Sequence, residues 1–144
     1  GTPTISDPGY GLIRECIKHE IRIIPIPGVS AITAAMSASG LPSDSFTFHG
    51  FLPQKKGRLK KIQDLSHLDN TIILFESPYR LVKTLTQLLE SLGDRSVVVG
   101  RELTKLYEEI IRGNLSEVLE YFSKSKVKGE IVIMIGKKDD RSHF

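Results

Sequence analysis

Short turns rich in glycine, proline and serine recur along this chain, and their residue types are suited to holding a ligand. Small residues let the backbone approach a bound molecule, and the exposed N–H and C=O groups can satisfy its polar edges. In α/β sheets, ligands usually bind at turns that follow strands. The turns lie at residues 1–3, 27–31, 51–53, 76–78 and 112–114. Together they predict one ligand crevice.

Grouped basic side chains suggest a second, polyanionic ligand. The net charge is only +3, but no acidic residue lies between His49 and Gln63. That stretch contains Lys55, Lys56, Arg58, Lys60 and Lys61, and a second group contains Lys124, Lys126 and Lys128. Such clusters attract a phosphate backbone. A solvated helix face is the alternative interpretation.

Other familiar sites do not fit the residue spacing. "PGYG" lacks the third glycine of a dinucleotide fingerprint, because Arg14 stands in its place, and no P-loop motif occurs in the sequence. The four histidines are too scattered for a metal site, so we expect no metal. The uncharged run at 23–43 is interrupted by proline and glycine, which argues against a membrane span.

Cys16 is the single cysteine, so no internal disulfide can form. With no signal peptide visible, this favours a reducing cytoplasm. Cys16 shares a predicted helical face with Leu12, Ile13 and Ile17, which predicts a buried apolar position.

Predicted elements in the first part of the chain would position the early turns. Asp7 and Pro8 predict a helix start, and the apolar spacing carries that helix to about His19. "IRIIPIPG" is predicted as a strand. "VSAITAAMSASG" is predicted as a helix of small residues that ends at Gly40.

From Ser43 onward the pattern alternates between strands and helices. Ser77 and Pro78 predict the start of a helix that ends at Gly93, and Asn114 with Glu117 predicts a capping box. The predicted strands are "FTFHGF", "TIILFE", "SVVVGREL", "LYEEIIRG" and "GEIVIMIG", with a basic helix to about residue 68 after the first. This order predicts an α/β domain with a mixed sheet in which the third and fourth strands are antiparallel. The polar tail "KKDDRSHF" is expected to fray.

The order of these motifs resembles a known family along nearly the whole chain. "GTPTISDPG", "GFLP", "ESPYR", "RELTK" and "GEIVIMIG" follow one another as in the ribosomal RNA small-subunit methyltransferase I family. That family belongs to the tetrapyrrole-methylase superfamily, uses S-adenosylmethionine, and methylates the 2′-hydroxyl of a cytidine in 16S rRNA.

The resemblance implies a tetrapyrrole-methylase-like α/β fold with a donor cleft between two domains. Residues 1–42 resemble the end of the first domain, without its first strand and glycine turn, and residues 43–144 resemble a complete second domain. Because the first part of the family's domain is missing, the chain alone is expected to bind the donor weakly and to be inactive. The positions that match donor-binding residues are Gly1, Thr2, Ile5, Ser30, Ala31, Glu76 and Gly113.

Transfer to a ribose hydroxyl needs alignment of oxygen, carbon and sulfur, and a nearby base or cation helps. Glu102 and Lys105 are the candidate catalytic residues, and Glu76 and His49 are further candidates. The sequence does not decide which of them acts as the base or the cation. For RNA, Phe51 or Tyr79 would stack a base. The resemblance implies phosphate contacts from Lys55, Lys56, Arg58, Arg80, Arg101 and Lys105.

Two other functions stay open at the level of sequence. A tetrapyrrole methyltransferase would share the donor loops but would not need the basic residues after "GFLP", and a non-catalytic RNA-binding module would fit a half cleft. The resemblance further implies 16S rRNA or the small ribosomal subunit as partner, a homodimer, and a cytoplasmic location without membrane association.

Overall fold

The computed structural model describes residues 1–138 of the chain. Its helices are α1 (Tyr10–Lys18), α2 (Ala31–Ser39), α3 (Arg58–Ser66), α4 (Leu81–Leu92) and α5 (Leu115–Ser123). Its strands are β1 (Phe46–Phe51), β2 (Thr71–Glu76), β3 (Ser96–Arg101), β4 (Glu109–Asn114) and β5 (Ile131–Ile135). Within residues 1–138, every helix is too short or too polar to cross a membrane.

The five strands form one mixed sheet in the order β1-β2-β5-β3-β4. β1 and β2 are parallel, whereas β5 runs antiparallel to both of its neighbours and β4 runs antiparallel to β3. The predicted mixed α/β sheet is therefore confirmed. Because β1, β2 and β3 point the same way, their carboxyl ends lie at one edge of the sheet, where β4 and β5 begin.

One face of the sheet carries the larger core, under α3, α4 and α5. Alternate residues point to this face, as the pleat of a strand requires, and those of β2 and β3 include Ile72, Leu74, Val97 and Val99. Side chains from all three helices pack on them, and most are fully buried. This layer holds the carboxyl ends of the strands in fixed positions.

The opposite face is covered by α2. Ile32, Ala35 and Met36 pack against sheet residues that include Ile73 and Met134. As predicted, α2 ends at Gly40, which adopts the left-handed conformation of a helix C-cap with a φ of 78°.

The first thirty residues depart from the sequence prediction in three ways. α1 begins after Gly9 rather than at Asp7, and no side chain caps it. No residue of α1 is buried, so the prediction that Cys16 is a core residue is wrong for this structure. The stretch at 21–28 is not a strand, because no segment of residues 1–138 pairs with it.

α4 also begins later than predicted, at Leu81 instead of Pro78. The backbone N–H of Arg80 donates to the carbonyl of Ser77, and the Arg80 Nε donates to the Ser77 hydroxyl. These bonds close a turn at residues 77–80, so Ser77 stabilises the turn before the helix rather than the helix start. The boundary between residues 42 and 43 stays a prediction, and the end of the polar tail, 139–144, lies outside the described residues.

Candidate functional site

A cleft of about 510 Å³ opens at the sheet edge where β1, β2 and β3 end. Six of the predicted donor-binding residues line this cleft: Gly1, Thr2, Ile5, Ser30, Ala31 and Glu76. The other lining residues are Ser6, Val29, Phe51, Phe75, Ser77, Pro78, Leu103, Gly129, Glu130, Ile131 and Val132. Four of the five predicted turns therefore converge on one hollow, and the turn at 112–114 does not line it.

One wall of the cleft joins the amino-terminal loop to the start of α2. The Thr2 hydroxyl donates to the carbonyl of Val29 at 3.0 Å. Gly28 allows this approach, because a Cβ there would lie 3.0 Å from the Thr2 Oγ1 and 3.4 Å from its Cα. The Ser30 side chain accepts from the N–H of Ile32 at 3.2 Å and so caps α2.

The opposite wall is fixed by the carboxylate of Glu76, which is only 3% exposed at the end of β2. Its Oε1 accepts from the Ser77 N–H at 2.7 Å and pairs with the Arg80 Nε at 2.9 Å. Its Oε2 accepts from the Thr84 hydroxyl at 2.7 Å and lies 3.7 Å from the Arg58 Nη2. Both carboxylate oxygens are therefore occupied by residues of the protein itself.

The structure contradicts the prediction that Arg58 contacts RNA, because this residue is only 4% exposed. Its Nε donates to the Gln87 side chain at 2.8 Å, its Nη1 to the Pro53 carbonyl at 3.1 Å, and its Nη2 to the Thr84 hydroxyl at 2.6 Å. A guanidinium with these partners cannot also reach a phosphate. Arg58 instead ties the loop after β1 to α4 and, through Thr84, to Glu76.

The other residues predicted to contact RNA differ in exposure and in whether a carboxylate of the protein already pairs with them. Lys55 and Lys56 are exposed. Arg101 pairs with Glu109 at 2.7 Å, and Arg80 pairs with Glu76. The Nη1 of Arg80 is buried and has no hydrogen-bond partner among residues 1–138.

The candidate catalytic pair does not line the cleft, but it lies at the rim of the cleft, because both residues bond Glu130, which lines it. The Lys105 ammonium bridges Glu102 at 3.0 Å and Glu130 at 2.9 Å, and the Glu102 carboxylate also accepts the Glu130 N–H at 2.8 Å. A Cβ on Gly129 would meet the Glu102 Cγ at 2.5 Å, so only glycine leaves room for this carboxylate. Glu102 itself has a φ of 51°, which is uncommon outside glycine.

The charges at this rim are fixed by their partners. The backbone N–H of Glu130 and the ammonium of Lys105 hold the pKa of Glu102 below its ordinary value. Hydrogen bonds to Glu130 and Glu102 raise the pKa of Lys105. A carboxylate with a lowered pKa is a weaker proton acceptor, so Glu102 is poorly suited to act as a general base, and Lys105 is the cation of this cluster.

His49 and the two aromatic candidates lie in different settings. His49 is outside the cleft lining, and its pKa is lowered by burial and by the charge of Lys61. Phe51 lines the cleft and packs edge to face on Phe75, with ring centroids 5.8 Å apart. Tyr79 is 89% exposed within the turn that follows β2.

Gly113 is the predicted donor-binding residue that the structure does not bring to the cleft. It pairs with Val97 near the start of β3, at the opposite edge of the sheet. Its glycine identity has a local reason, because a Cβ would lie 2.7 Å from the Glu117 Oε2. That carboxylate accepts the Asn114 N–H in the capping box of α5, which confirms the predicted box.

Several residues that line the cleft do not belong to the predicted donor-binding set. Phe75 and Val132 point into the cleft from strand positions next to the predicted turns, and strand alternation could have identified them. Leu103 and Gly129 carried no comparable signal, because their position depends on how β3 and β5 pair. Within residues 1–138, no cluster of three metal-ligating side chains is present.

Comparison with known families and curated proteins gives consistent matches. The profile of the family described as tetrapyrrole (corrin/porphyrin) methylases matches residues 1–119. A relative from Thermotoga maritima named ribosomal RNA small subunit methyltransferase I is 45% identical over 96% of this chain and 63% of its own length. A relative of the same name from Mesorhizobium japonicum is 50% identical over 94% of this chain and 47% of its own length. The resemblance found in the sequence is confirmed, and the chain spans about half to two thirds of the length of these relatives.

Solved structures share the fold at low sequence identity. A structure titled methyltransferase CobJ matches the whole chain and 64% of its own length, with a TM-score of 0.73 and 19% identity. Uroporphyrin-III C-methyl transferase from Thermus thermophilus, complexed with S-adenyl homocysteine, matches 94% of this chain and 62% of its own length, with a TM-score of 0.64 and 19% identity. These likenesses establish the fold.

Proposed function

The chain belongs to the tetrapyrrole (corrin/porphyrin) methylase family, and on that premise we propose that it is part of an S-adenosylmethionine-dependent methyltransferase acting on a cytidine 2′-hydroxyl of 16S rRNA. The observation that carries this proposal is the cleft, where turns at the ends of three strands meet residues 1–6 and the start of α2. The 45–50% identity to relatives named as ribosomal RNA methyltransferases supports RNA as the substrate.

The cleft residues fit a methyl donor in size and chemistry. A volume of about 510 Å³ lies in the usual range of cofactor sites. Thr2, Ser30 and Ala31 would hold the donor at the amino-terminal wall, where small side chains leave room and backbone groups meet polar edges. Phe75 and Val132 would contact its apolar parts. The donor supplies an electrophilic methyl group bonded to a sulfonium.

The residues of the chain position the acceptor and control its proton. With the donor bound, the chain would have to hold the ribose hydroxyl in line with the methyl group and let the hydroxyl proton leave to solvent or to a base. Lys105 keeps its positive charge and would stabilise the developing oxyanion, while Glu102 holds Lys105 in place. Glu76 would act as a wall of the cleft, because its oxygens are already hydrogen-bonded.

RNA would approach over the exposed part of the basic cluster. Lys55 and Lys56 lie in the loop that follows Phe51, so phosphates bound there would place a base near Phe51 or Tyr79. The partner would be 16S rRNA or the small ribosomal subunit, in the cytoplasm. A homodimer is part of the proposal, since apolar side chains such as Leu12, Ile24 and Ile26 are exposed and suit a protein interface.

Product analysis tests the function directly. The protein, extended to the length of its relatives, is incubated with unmodified small subunits and labelled S-adenosylmethionine, and the RNA is digested to nucleosides. We expect label in 2′-O-methylcytidine. Label in a base, or in an added tetrapyrrole instead of RNA, would contradict the proposal.

Charge reversal tests the RNA surface separately. The double variant Lys55→Glu, Lys56→Glu should lower RNA affinity at least tenfold near 0.1 M salt, because two phosphate contacts are lost. The control Lys83→Glu, Lys138→Glu makes the same change in net charge at two exposed lysines outside the basic clusters. Filter binding measures RNA affinity, and calorimetry should show unchanged donor binding. Equal RNA affinity for the two variants would remove Lys55 and Lys56 from the RNA surface.

A further inference from the structure

A second, smaller pocket of about 230 Å³ lies at the same edge of the sheet as the cleft. The residues that line it come from the end of β3, the start of β4, α5 and the segment before β5. They are Arg101, Glu109, Tyr121, Phe122, Ser125, Lys126, Val127 and Lys128. It includes two lysines of the second basic group, which the proposed function does not use.

Two of the three cationic side chains that line this pocket have no ion-pair partner among residues 1–138. Glu109 pairs with Arg101 at 2.7 Å and accepts from the Tyr121 hydroxyl at 2.6 Å. The bond from Tyr121 and the charge of Arg101 lower the pKa of Glu109, so the carboxylate stays ionised and compensates Arg101. Lys126 and Lys128 form no ion pair with residues 1–138, whereas Lys124, outside the pocket, pairs with Glu120 at 2.8 Å.

The pocket and the cleft share a wall. Lys128 lines the pocket, and the next residues, Gly129 and Glu130, line the cleft. The Arg101 Nη1 donates to the Lys128 carbonyl at 3.3 Å, and the Glu102 N–H donates to the Glu130 carbonyl at 2.9 Å. The end of β3 therefore holds this short wall in place, and one extended ligand can cross it from the cleft to the pocket.

We propose that this pocket is a phosphate subsite for the RNA strand, in which Lys126 and Lys128 bind the backbone next to the nucleotide that enters the cleft. The proposal rests on the proposed function, because it requires RNA in the cleft. An RNA strand has a phosphate on each side of every ribose, so a ribose held in the cleft has a neighbouring phosphate within a short distance of the wall. The exposed ring of Tyr121 flanks the pocket and can contact the adjoining sugar or base.

The test compares two double variants of the protein extended to the length of its relatives. Lys126→Glu, Lys128→Glu is the pocket variant, and Lys83→Glu, Lys138→Glu, at two exposed lysines outside both basic clusters, is the control with the same net charge. RNA affinity is measured by filter binding at several salt concentrations, on an RNA fragment that contains the target cytidine. Unchanged thermal midpoints and donor affinity show that both variants fold.

The pocket variant should bind RNA at least tenfold more weakly near 0.1 M salt than the control. The slope of log affinity against log salt should fall by about 1.4 relative to the unaltered protein, as expected for two lost contacts to a single strand. Shortening the RNA on one side of the cytidine, and not on the other, should abolish the difference between pocket variant and unaltered protein.

Each other outcome overturns the subsite. If pocket variant and control bind equally while the unaltered protein binds and methylates RNA, the subsite fails and the proposed function stands. If the unaltered protein binds no RNA, both fail together. A loss of affinity with an unchanged salt slope would mean that the lysines act through the fold, which also contradicts phosphate binding.

Discussion

At the residue scale, Arg58 shows how one position in a charged cluster can differ from its neighbours. The cluster predicts a solvent-facing basic surface, yet Arg58 is buried against Thr84, Gln87 and the Pro53 carbonyl. The spacing contained this information, because Arg58, Ile62 and Leu65 stand at i, i+4 and i+7, on the buried face of α3. The composition of this stretch identifies the basic cluster. The helical periodicity of α3 then separates Arg58, which is buried, from the exposed lysines.

Removing the Arg58 guanidinium should therefore affect stability. Arg58→Ala leaves Thr84 and the Pro53 carbonyl without their donor and takes one of two cations from the buried Glu76 carboxylate, which should cost about 3 kcal/mol of unfolding free energy. Urea denaturation measures this change. Lys60→Ala, on the exposed side of α3, is the control and should lie within about 0.5 kcal/mol of the unaltered protein. Equal losses for the two variants would contradict the buried network.

At the element scale, α2 and the segment at 21–28 show which sequence signals are sufficient to predict a helix or a strand. Ser30 at the start and Gly40 at the end fix α2 locally, so its bounds follow from sequence. The stretch at 21–28 has equally good β-branched composition, but a strand needs a neighbour to accept its hydrogen bonds. No strand within residues 1–138 offers one, and Ile24 and Ile26 are exposed.

The position of α2 depends on Arg112, a contact that sequence spacing does not reveal. Its guanidinium, from β4, donates to the carbonyls of Ala38 and Ser39 at the end of the helix, 3.2 Å away for Ser39. Because Ser30, the N-cap of α2, lines the cleft, Arg112 links the outer strand to one wall of the cleft.

Arg112→Ala should loosen α2 without unfolding the sheet. The last carbonyls of the helix lose a cationic donor, so amide exchange in α2 should accelerate about tenfold, equivalent to about 1.4 kcal/mol. Hydrogen exchange with mass spectrometry measures this for α2 and β5 separately. Lys137→Ala, near the end of β5, is the control. Equal exchange of α2 in Arg112→Ala and in the control would show that the arginine does not hold the helix.

At the scale of the whole molecule, strand direction explains what the sequence could predict of the site. The predicted turns after β1 and β2 reach the cleft because both strands end at the same edge. Gly113 follows the same rule of a glycine near a strand end, but β4 runs antiparallel to β3 and ends at the opposite edge. Turn residues indicate where a strand ends along the chain. The direction of that strand in the sheet decides whether its end lies near the cleft or on the opposite side.

Strand pairing also brings to the cleft residues that no sequence pattern marks as part of a ligand site. Leu103 and Gly129 lie in the cleft because β3 and β5 are neighbours, and the residues paired in these strands are 30 to 38 positions apart in sequence. Local patterns predicted most of the elements and four of the turns that line the cleft, and the long-range order of the sheet determined the rest of the lining.

The most direct test of the central claim is the set of backbone amides that respond to S-adenosylmethionine. The proton–nitrogen spectrum of the labelled protein, as this chain and at the length of its relatives, is recorded during titration with the donor. We predict shifts at Thr2, Ser30, Ala31, Phe75 and Val132, with Gly113 unchanged, and tighter binding in the longer protein. Shifts centred on Gly113, or no shift in either protein at millimolar donor, would contradict the assignment of the cleft as the donor site.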